Sequence, residues 1–244
     1  MRRIILCALM LYAAGAQAQF NRLYSGDASQ IDQAVSAYMS ANNIKGFSVA
    51  AVKNGNIVYI KGYGKSDVAN NINADECTLY RIGSMSKFIT SVLANQLFEM
   101  GYMSPDDDIR TYVPEFPDKG KTITVGDLLS HTGCIQDNSS TNTSYMNANL
   151  SYNPIAALDI FKDQPLLGSC TVGGSIGNYS NWGYDLLGAV IERAGGEPYE
   201  AQLYNRIIKP LNLEMLQPEY FWSVRLKTNP DKRRSNLSHR FNIC

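Results

Sequence analysis

The dipeptide Asn54-Gly55 restricts the fold more than any other feature, because it joins two strand-like runs at residues 47–53 and 56–63. Asn and Gly tolerate the positive φ angles that a two-residue type I′ turn requires. The sequence therefore predicts an antiparallel β-hairpin. The residues that follow, from Gly62 and Gly64 to about Thr78, are predicted to form a polar loop.

Helical periodicity lies on both sides of this hairpin. A helix is predicted over residues 27–43, with Asp27 or Ser29 as its N-cap. The strongest pattern runs from residue 84 to residue 100 and ends at Gly101, with an apolar face formed by Met85, Phe88, Ile89, Val92, Leu93, Leu97 and Met100. Shorter helices are predicted over residues 124–130 (capped by Thr124), 181–194 (stopped by Gly195-Gly196) and 200–208 (ended by Pro210), and a surface loop over residues 138–149.

The first eighteen residues have the pattern of a secretory signal peptide. Arg2 and Arg3 precede an apolar run that is too short to anchor in a bilayer, and residues 16–18 form an A-x-A cleavage site. A buried N-terminal helix is the alternative interpretation. Cleavage before Gln19 predicts a periplasmic or secreted protein without a membrane anchor. The 22 basic and 22 acidic residues cancel, which excludes the global basic field of a nucleic-acid-binding protein.

Export would permit disulfides, and four cysteines follow the predicted signal, at positions 77, 134, 170 and 244. A bridge between Cys134 and Cys170 is one conceivable pairing, and isolated thiols in packed positions are an equal alternative. Because the cysteines form no C-x-x-C pair, no metal site is expected.

Ser84 and Lys87 form an S-x-x-K pair at the start of the strongest helix. Residues three apart share one edge of a helix, and this edge lies opposite the predicted apolar face. A serine hydroxyl becomes a good nucleophile when a neighbouring base takes its proton, which a desolvated lysine can do. The helix N-terminus would add backbone N–H groups near a developing oxyanion. An N-cap serine beside a solvated lysine is the alternative interpretation of this tetrapeptide.

Several segments, in order, resemble the serine β-lactamase-related family, which includes class C β-lactamases, D-alanyl-D-alanine carboxypeptidases and related esterases. Residues 80–87 (YRIGSMSK) look like its active-site segment, and residues 128–133 (LLSHTG) are similar to its L-L-x-H-T-S-G segment. Residues 179–181 (YSN) match its Y-x-N motif, and residues 210–213 (PLNL) resemble its P-L-G-M segment. The resemblance covers roughly residues 28–214.

The resemblance implies that Ser84 is the acylated nucleophile and that Lys87 helps to deprotonate it. It implies that Tyr179 acts with Lys87 as general base and then as proton donor, and that Asn181 donates a hydrogen bond to the substrate. Simple packing of Tyr179 and helix capping by Asn181 are the alternative roles. His131 is implied to be structural rather than part of a Ser-His-Asp triad. No metal or organic cofactor is implied, and the expected partner is a small-molecule or peptide substrate.

The C-terminal region departs from the family pattern, because recognisable similarity stops near Leu213. The family carries a third motif, K-T-G or H-x-G, on a late strand, and residues 227–229 (KTN) lack its glycine. We therefore expect a chain cut short, with a signal peptide at residues 1–18, an incomplete β-lactamase-related domain at 19–222 and a disordered basic tail at 223–244.

The predicted fold class is α+β, of the β-lactamase/transpeptidase-like kind. It has an antiparallel sheet flanked by helices and a mainly helical subdomain, with the C-terminal sheet strands missing. The predicted function is that of a secreted serine hydrolase that forms an acyl-enzyme with a β-lactam, a D-amino-acid peptide or a small ester. A catalytically impaired remnant or binding protein of the same family is the alternative, since the third motif is absent. An ordinary helical protein with coincidental motifs is a further alternative.

Overall fold

The computed structural model describes residues 28–137, 153–174, 177–213 and 215–218. These residues divide into two compact units, one ending at Tyr80 and the other beginning at Arg81. The predicted signal peptide, the predicted loop at 138–149 and the predicted basic tail lie outside the described residues. Within the described ranges, every helix is too short or too polar to cross a bilayer.

The first unit combines one helix with a three-stranded antiparallel sheet. Helix α1 spans Ala28–Ala41, and strands β1, β2 and β3 span Gly46–Lys53, Asn56–Asp67 and Ile72–Asn73, paired in the order β1-β2-β3. The turn residues Asn54 and Gly55 have φ angles of 51° and 74°. The predicted hairpin and its two-residue turn are therefore confirmed.

The predicted loop after residue 63 is wrong in its first part, because β2 continues to Asp67 and then pairs with β3. Glycine allows this extension rather than ending the strand. A Cβ atom on Gly62 would lie 2.3 Å from Cα of Asp75, so the two backbone segments approach closely only because residue 62 has no side chain. The sequence signal was ambiguous, since glycine marks both turns and close backbone approaches.

Asp32 ties α1 to β2 in the same unit. Its Oδ1 atom accepts hydrogen bonds from the hydroxyl of Tyr63 at 2.7 Å, from Nζ of Lys61 at 2.8 Å and from the hydroxyl of Tyr59 at 3.0 Å. These donors favour the ionised carboxylate, with Lys61 the largest cause, and lower the pKa of Asp32 to about 2.

The second unit is helical in its described part. Its α-helices are α2 (Met85–Glu99), α3 (Val125–Leu129), α4 (Pro154–Phe161), α5 (Asn181–Gly195) and α6 (Tyr199–Leu203), with a 3₁₀ turn at Ile109–Thr111 and a π-helical turn at Tyr204–Ile208. Helix α5 lies at the centre of the core, because its apolar face is fully buried. This face packs with side chains of α2, α3 and α4, and the buried leucines and isoleucines include Leu93, Leu97, Leu128, Leu158, Leu186, Leu187 and Ile191.

The helix ends follow the predicted signals. Thr124 caps α3 in a reciprocal capping box with Asp127. Gly101 and Gly196, which follow α2 and α5, have φ angles of 73° and 70°.

The predicted helix at 200–208 is present, although its second half is π-helical. Helix α4 was not predicted, although Asn153 caps it and Pro154 occupies its first turn.

The predicted apolar face of α2 is only partly correct. Met85 and Phe88 are 67% and 69% exposed, and Met100 is also exposed. The buried side of α2 begins at Thr90, whose hydroxyl bonds with the Ser86 carbonyl at 3.2 Å. The first turn of α2 is therefore directed away from the core of this unit.

A disulfide joins Cys134 to Cys170, so the bridged alternative for these two residues is the one present. The bond is buried at Cys134, which is 1% exposed. It anchors the segment after α3, in which His131 and Cys134 have positive φ angles of 61° and 55°. This segment leads directly to the candidate active site.

Candidate active site

Two helix N-termini place the predicted site residues. Ser84 immediately precedes α2 and Lys87 lies in its first turn. Tyr179 and Asn181 lie at the start of α5, where Ser180 is the N-cap and accepts a hydrogen bond from the Gly183 N–H at 2.9 Å. Asn181 is therefore not the cap of this helix, and its side chain is available for other contacts.

The four side chains converge. The hydroxyl oxygens of Ser84 and Tyr179 lie 2.5 Å apart. Nζ of Lys87 donates to Oγ of Ser84 at 3.3 Å and to Oδ1 of Asn181 at 2.6 Å. The Tyr179 hydroxyl also lies 3.3 Å from Oδ1 of Asn181, to which it donates. A hydroxyl, an ammonium, a phenol and an amide thus form one connected hydrogen-bond network.

Aromatic rings surround the ammonium group of Lys87. Nζ lies 4.8 Å from the ring centroid of Tyr179 and 5.5 Å from that of Tyr184. Tyr184 is held in place because its hydroxyl donates to the Leu129 carbonyl at 3.1 Å. Both distances fall within the range in which a cation is attracted to an aromatic ring.

The surroundings of Tyr179 lower the pKa of its phenol. Its interaction with Lys87 is the largest cause that lowers its pKa below 10, and its hydrogen bond with Ser84 is the second. Burial opposes the shift, as does the negative charge of Asp137. Tyr179 is 46% exposed, so its phenol is accessible from solvent.

His131 contacts both Tyr179 and the N-cap residue of α5. Its Nδ1 atom accepts the Ser180 backbone N–H at 3.2 Å, and its ring lies 4.6 Å from that of Tyr179 and 5.0 Å from that of Tyr184. Burial, followed by the charge of Lys87, lowers the pKa of His131. Both causes favour the neutral imidazole, whose Nδ1 lone pair is directed to the backbone.

Sequence reasoning missed Asp137. One of its carboxylate oxygens, Oδ1, accepts the backbone N–H of Asn181 at 3.0 Å and Nδ2 of the same residue at 3.1 Å. The available signal was position alone, since Asp137 follows the L-L-S-H-T-G segment by four residues. Asn181 was predicted to donate a hydrogen bond to the substrate. In the structure its side-chain Nδ2 already donates to the Asp137 carboxylate.

The backbone donors expected at the start of α2 are largely engaged. The N–H groups of residues 85, 86 and 87 donate to the carbonyls of residues 82, 83 and 84 at 3.0–3.1 Å.

Among the described residues, His, Cys, Asp and Glu form no group of three that could hold a metal ion.

Comparisons with known proteins point to one family. A model of the Beta-lactamase family matches residues 31–224. Protein flp from Staphylococcus aureus (strain MRSA252) is 30% identical over 199 residues, which cover 79% of this chain and 38% of that protein. The chain therefore spans well under half of the length of this curated relative.

Solved structures agree with the sequence match. The octameric penicillin-binding protein homologue from Pyrococcus abyssi is 26% identical with a TM-score of 0.67, over 77% of this chain and 43% of that one. A class C β-lactamase in complex with cefoxitin is 27% identical with a TM-score of 0.61, over 78% of this chain and 51% of that one. The described helices and small antiparallel sheet have the β-lactamase/transpeptidase-like α+β fold that was predicted.

Proposed function

Because the chain belongs to the β-lactamase family, we propose that it is a serine hydrolase that forms an acyl-enzyme on Ser84. One observation carries the proposal: Oγ of Ser84 lies 2.5 Å from the phenol oxygen of Tyr179 and 3.3 Å from Nζ of Lys87. A nucleophile within hydrogen-bond reach of a base that is itself held by a third group is the arrangement of covalent catalysis.

The proposed reaction uses these groups in turn. Oγ of Ser84 bonds to the substrate carbonyl carbon while its proton passes to the phenolate of Tyr179. The ammonium of Lys87 stabilises the phenolate before this transfer, and Asn181 holds the ammonium through its Oδ1 atom. Tyr179 then returns the proton to the leaving nitrogen or oxygen as the bond from this atom to the carbonyl carbon breaks. Water finally cleaves the serine ester and restores the Ser84 hydroxyl.

The proposed substrates share one reacting group, an acyl carbonyl bonded to a leaving nitrogen or oxygen. β-Lactams, D-amino-acid peptides and small esters all present such a carbonyl to a serine. The similarity to a penicillin-binding protein homologue and to a β-lactamase with bound cefoxitin supports this class. We also propose that the protein acts in the periplasm or outside the cell, on the basis of the signal-like residues 1–18.

Two covalent probes test the proposal. Purified protein is incubated with a fluorescent penicillin or a fluorescent fluorophosphonate, and the labelled residue is located by peptide mass spectrometry. We expect label on Ser84 in the wild type and none in Ser84→Ala. Ser86→Ala is the matched control, because it removes a hydroxyl from the same helical turn that bonds only locally, to the Gly83 carbonyl at 2.7 Å.

The outcomes separate hydrolase from remnant. Labelling of Ser84 with turnover of a chromogenic cephalosporin, a D-alanyl peptide or a nitrophenyl ester supports the hydrolase. Labelling without turnover of any of the three favours the catalytically impaired binding protein. Well-folded wild-type protein that reacts with neither probe, or equal labelling of Ser84→Ala, would overturn the acyl-enzyme proposal.

A further inference from the structure

We propose that Asp137 is a positioning residue that fixes the orientation of the Asn181 side-chain amide, so that its oxygen faces Lys87. The inference rests on the proposed acyl-enzyme function for its effect on rate. The orientation of the amide follows from hydrogen bonds that join Asp137, Asn181 and Lys87.

Donor and acceptor chemistry specifies both ends of the Asn181 amide. At one end, Nδ2 donates to Oδ1 of Asp137 at 3.1 Å, and the ionised carboxylate can only accept. At the other end, Oδ1 accepts from Nζ of Lys87 at 2.6 Å, and an ammonium can only donate. A turned amide would set an NH₂ group against the ammonium and a carbonyl oxygen against the carboxylate. The observed orientation is therefore the only one that satisfies both neighbours.

A second hydrogen bond makes Asp137 a clamp on Asn181. The same Oδ1 atom of Asp137 accepts the Asn181 backbone N–H at 3.0 Å, so one carboxylate oxygen holds the residue at two points. Asp137 is half-buried, which strengthens both bonds relative to bonds in open water.

Contacts at Cys134 and Gln136 hold the segment that leads to Asp137. The Ser180 hydroxyl donates to the Gln136 carbonyl at 2.8 Å, which joins this segment to the start of α5. Cys134 is held by its disulfide to Cys170, and its carbonyl accepts the Leu167 N–H at 2.9 Å. The disulfide and these two hydrogen bonds thus hold the backbone that places the Asp137 carboxylate next to Asn181.

The orientation matters because Asn181 and Ser84 share the same lysine. Nζ of Lys87 bonds with Oδ1 of Asn181 and with Oγ of Ser84, and the Tyr179 hydroxyl also reaches Oδ1 of Asn181. Without a fixed acceptor, the ammonium loses the contact that holds it between Ser84 and Tyr179. Loss of a hydrogen bond to a charged group is expected to slow acylation on the order of 10–100-fold.

Three variants separate positioning from general damage. Asp137→Ala removes the oxygen that accepts both bonds and should slow acylation by this factor. Asp137→Asn retains an oxygen that can accept both bonds and should keep the rate within about threefold of the wild type. Gln136→Ala is the matched control: it alters the adjacent residue of the same segment, whose Nε2 donates to the Pro165 carbonyl at 2.9 Å rather than to Asn181. A surface change of this kind should leave the rate within about twofold.

Two measurements are made on each folded variant. The rate of Ser84 labelling by the fluorescent penicillin reports acylation. Nuclear magnetic resonance of the Asn181 side-chain NH₂ group, assigned with Asn181→Asp, reports the amide directly through its hydrogen-exchange rate. We expect slow exchange in the wild type, in Asp137→Asn and in Gln136→Ala, and fast exchange in Asp137→Ala.

Failure of this inference can be told apart from failure of the proposed function. If neither covalent probe labels the wild type, the hydrolase proposal fails, while the amide exchange rates still decide whether Asp137 holds Asn181. Unchanged exchange and unchanged labelling in Asp137→Ala would overturn the positioning role. Loss of labelling in Asp137→Asn as large as in Asp137→Ala would also overturn it, because the charge and not the accepted hydrogen bonds would then be required.

Discussion

The hydroxyl oxygens of Ser84 and Tyr179 lie 2.5 Å apart, although 95 positions separate the two residues along the chain. At this distance one hydroxyl donates to the other, and a proton can pass between them without rearrangement. Lys87 lies beside both groups, with Nζ 3.3 Å from Oγ of Ser84 and 4.8 Å from the Tyr179 ring centroid. The pair therefore has a built-in cation that favours the deprotonated phenol.

The first prediction concerns the phenol itself. Tyr179→Phe should lower the rate of Ser84 labelling by about 10²–10⁴-fold, since it removes the proposed proton acceptor but keeps the ring. The measurement is labelling by the fluorescent penicillin over time. Tyr204→Phe, at an exposed tyrosine of the same unit, should label at the wild-type rate. A Tyr179→Phe protein that labels as fast as the wild type would show that another group accepts the serine proton.

The second prediction concerns pH. Because the phenolate is the reactive form in the proposed mechanism, labelling should rise as pH increases through the pKa of Tyr179, and this pKa lies below 10. Lys87 is the largest cause of the lowering. Lys87→Gln should therefore move the Tyr179 pKa upward, and the rise in labelling should occur at higher pH.

This shift can be measured in two ways. Ultraviolet difference absorbance against Tyr179→Phe follows phenolate formation, and the pH dependence of labelling follows reactivity. Lys162→Gln, which removes a surface lysine paired with Asp159, is the control and should leave the midpoint unchanged. A midpoint that stays in place in Lys87→Gln would contradict the assignment of Lys87 as the source of the shift.

The sequence predicted the site unevenly, for physical reasons. Ser84 and Lys87 are three positions apart on one helix, so local geometry alone brings them together. The placement of Tyr179 and Asn181 beside them came only from family resemblance, since helix packing over such a separation has no local signature. Asp137 was missed because it lies in an irregular segment, where no periodicity indicates which way a side chain is directed.

The fold shows a similar division. The turn at Asn54-Gly55 was predicted because both residues tolerate the required backbone angles. The apolar residues Met85 and Phe88 were wrongly assigned to the core, since periodicity identifies a face of a helix but not how far along the helix the core extends. Gly62 was interpreted as a loop signal, whereas it allows the backbone near Asp75 to pass close to β2.

Gly62 gives the third prediction. Gly62→Ala should destabilise the protein by about 1–3 kcal/mol, because the new Cβ atom would meet Cα of Asp75 at 2.3 Å and the backbone would have to move. Gly55→Ala is the informative comparison: its φ of 74° is unfavourable for alanine, but no atom lies within 4 Å of the added Cβ. We expect a smaller loss of about 1 kcal/mol there. Urea unfolding monitored by circular dichroism measures both values, and a Gly62→Ala protein as stable as the wild type would exclude the close approach.

The fourth prediction concerns the bond between Cys134 and Cys170, which are 36 positions apart. A cross-link of this span restricts the unfolded chain, so Cys134→Ala together with Cys170→Ala should lower the free energy of unfolding by about 2–4 kcal/mol. Urea unfolding under non-reducing conditions measures the loss.

Reductant supplies the control for this disulfide. Cys77 is also disulfide-bonded, so reducing the wild type alters more than the Cys134–Cys170 bond, and the double variant isolates this bond. Adding reductant to the double variant then reports the contribution that remains. If the double variant unfolds at the same urea concentration as the wild type, the segment leading to Asp137 is held by its hydrogen bonds alone, chiefly those of the Cys134 and Gln136 carbonyls with Leu167 and Ser180. If it is less stable by the expected amount, the covalent bond is a main support of the segment that carries the proposed clamp on Asn181.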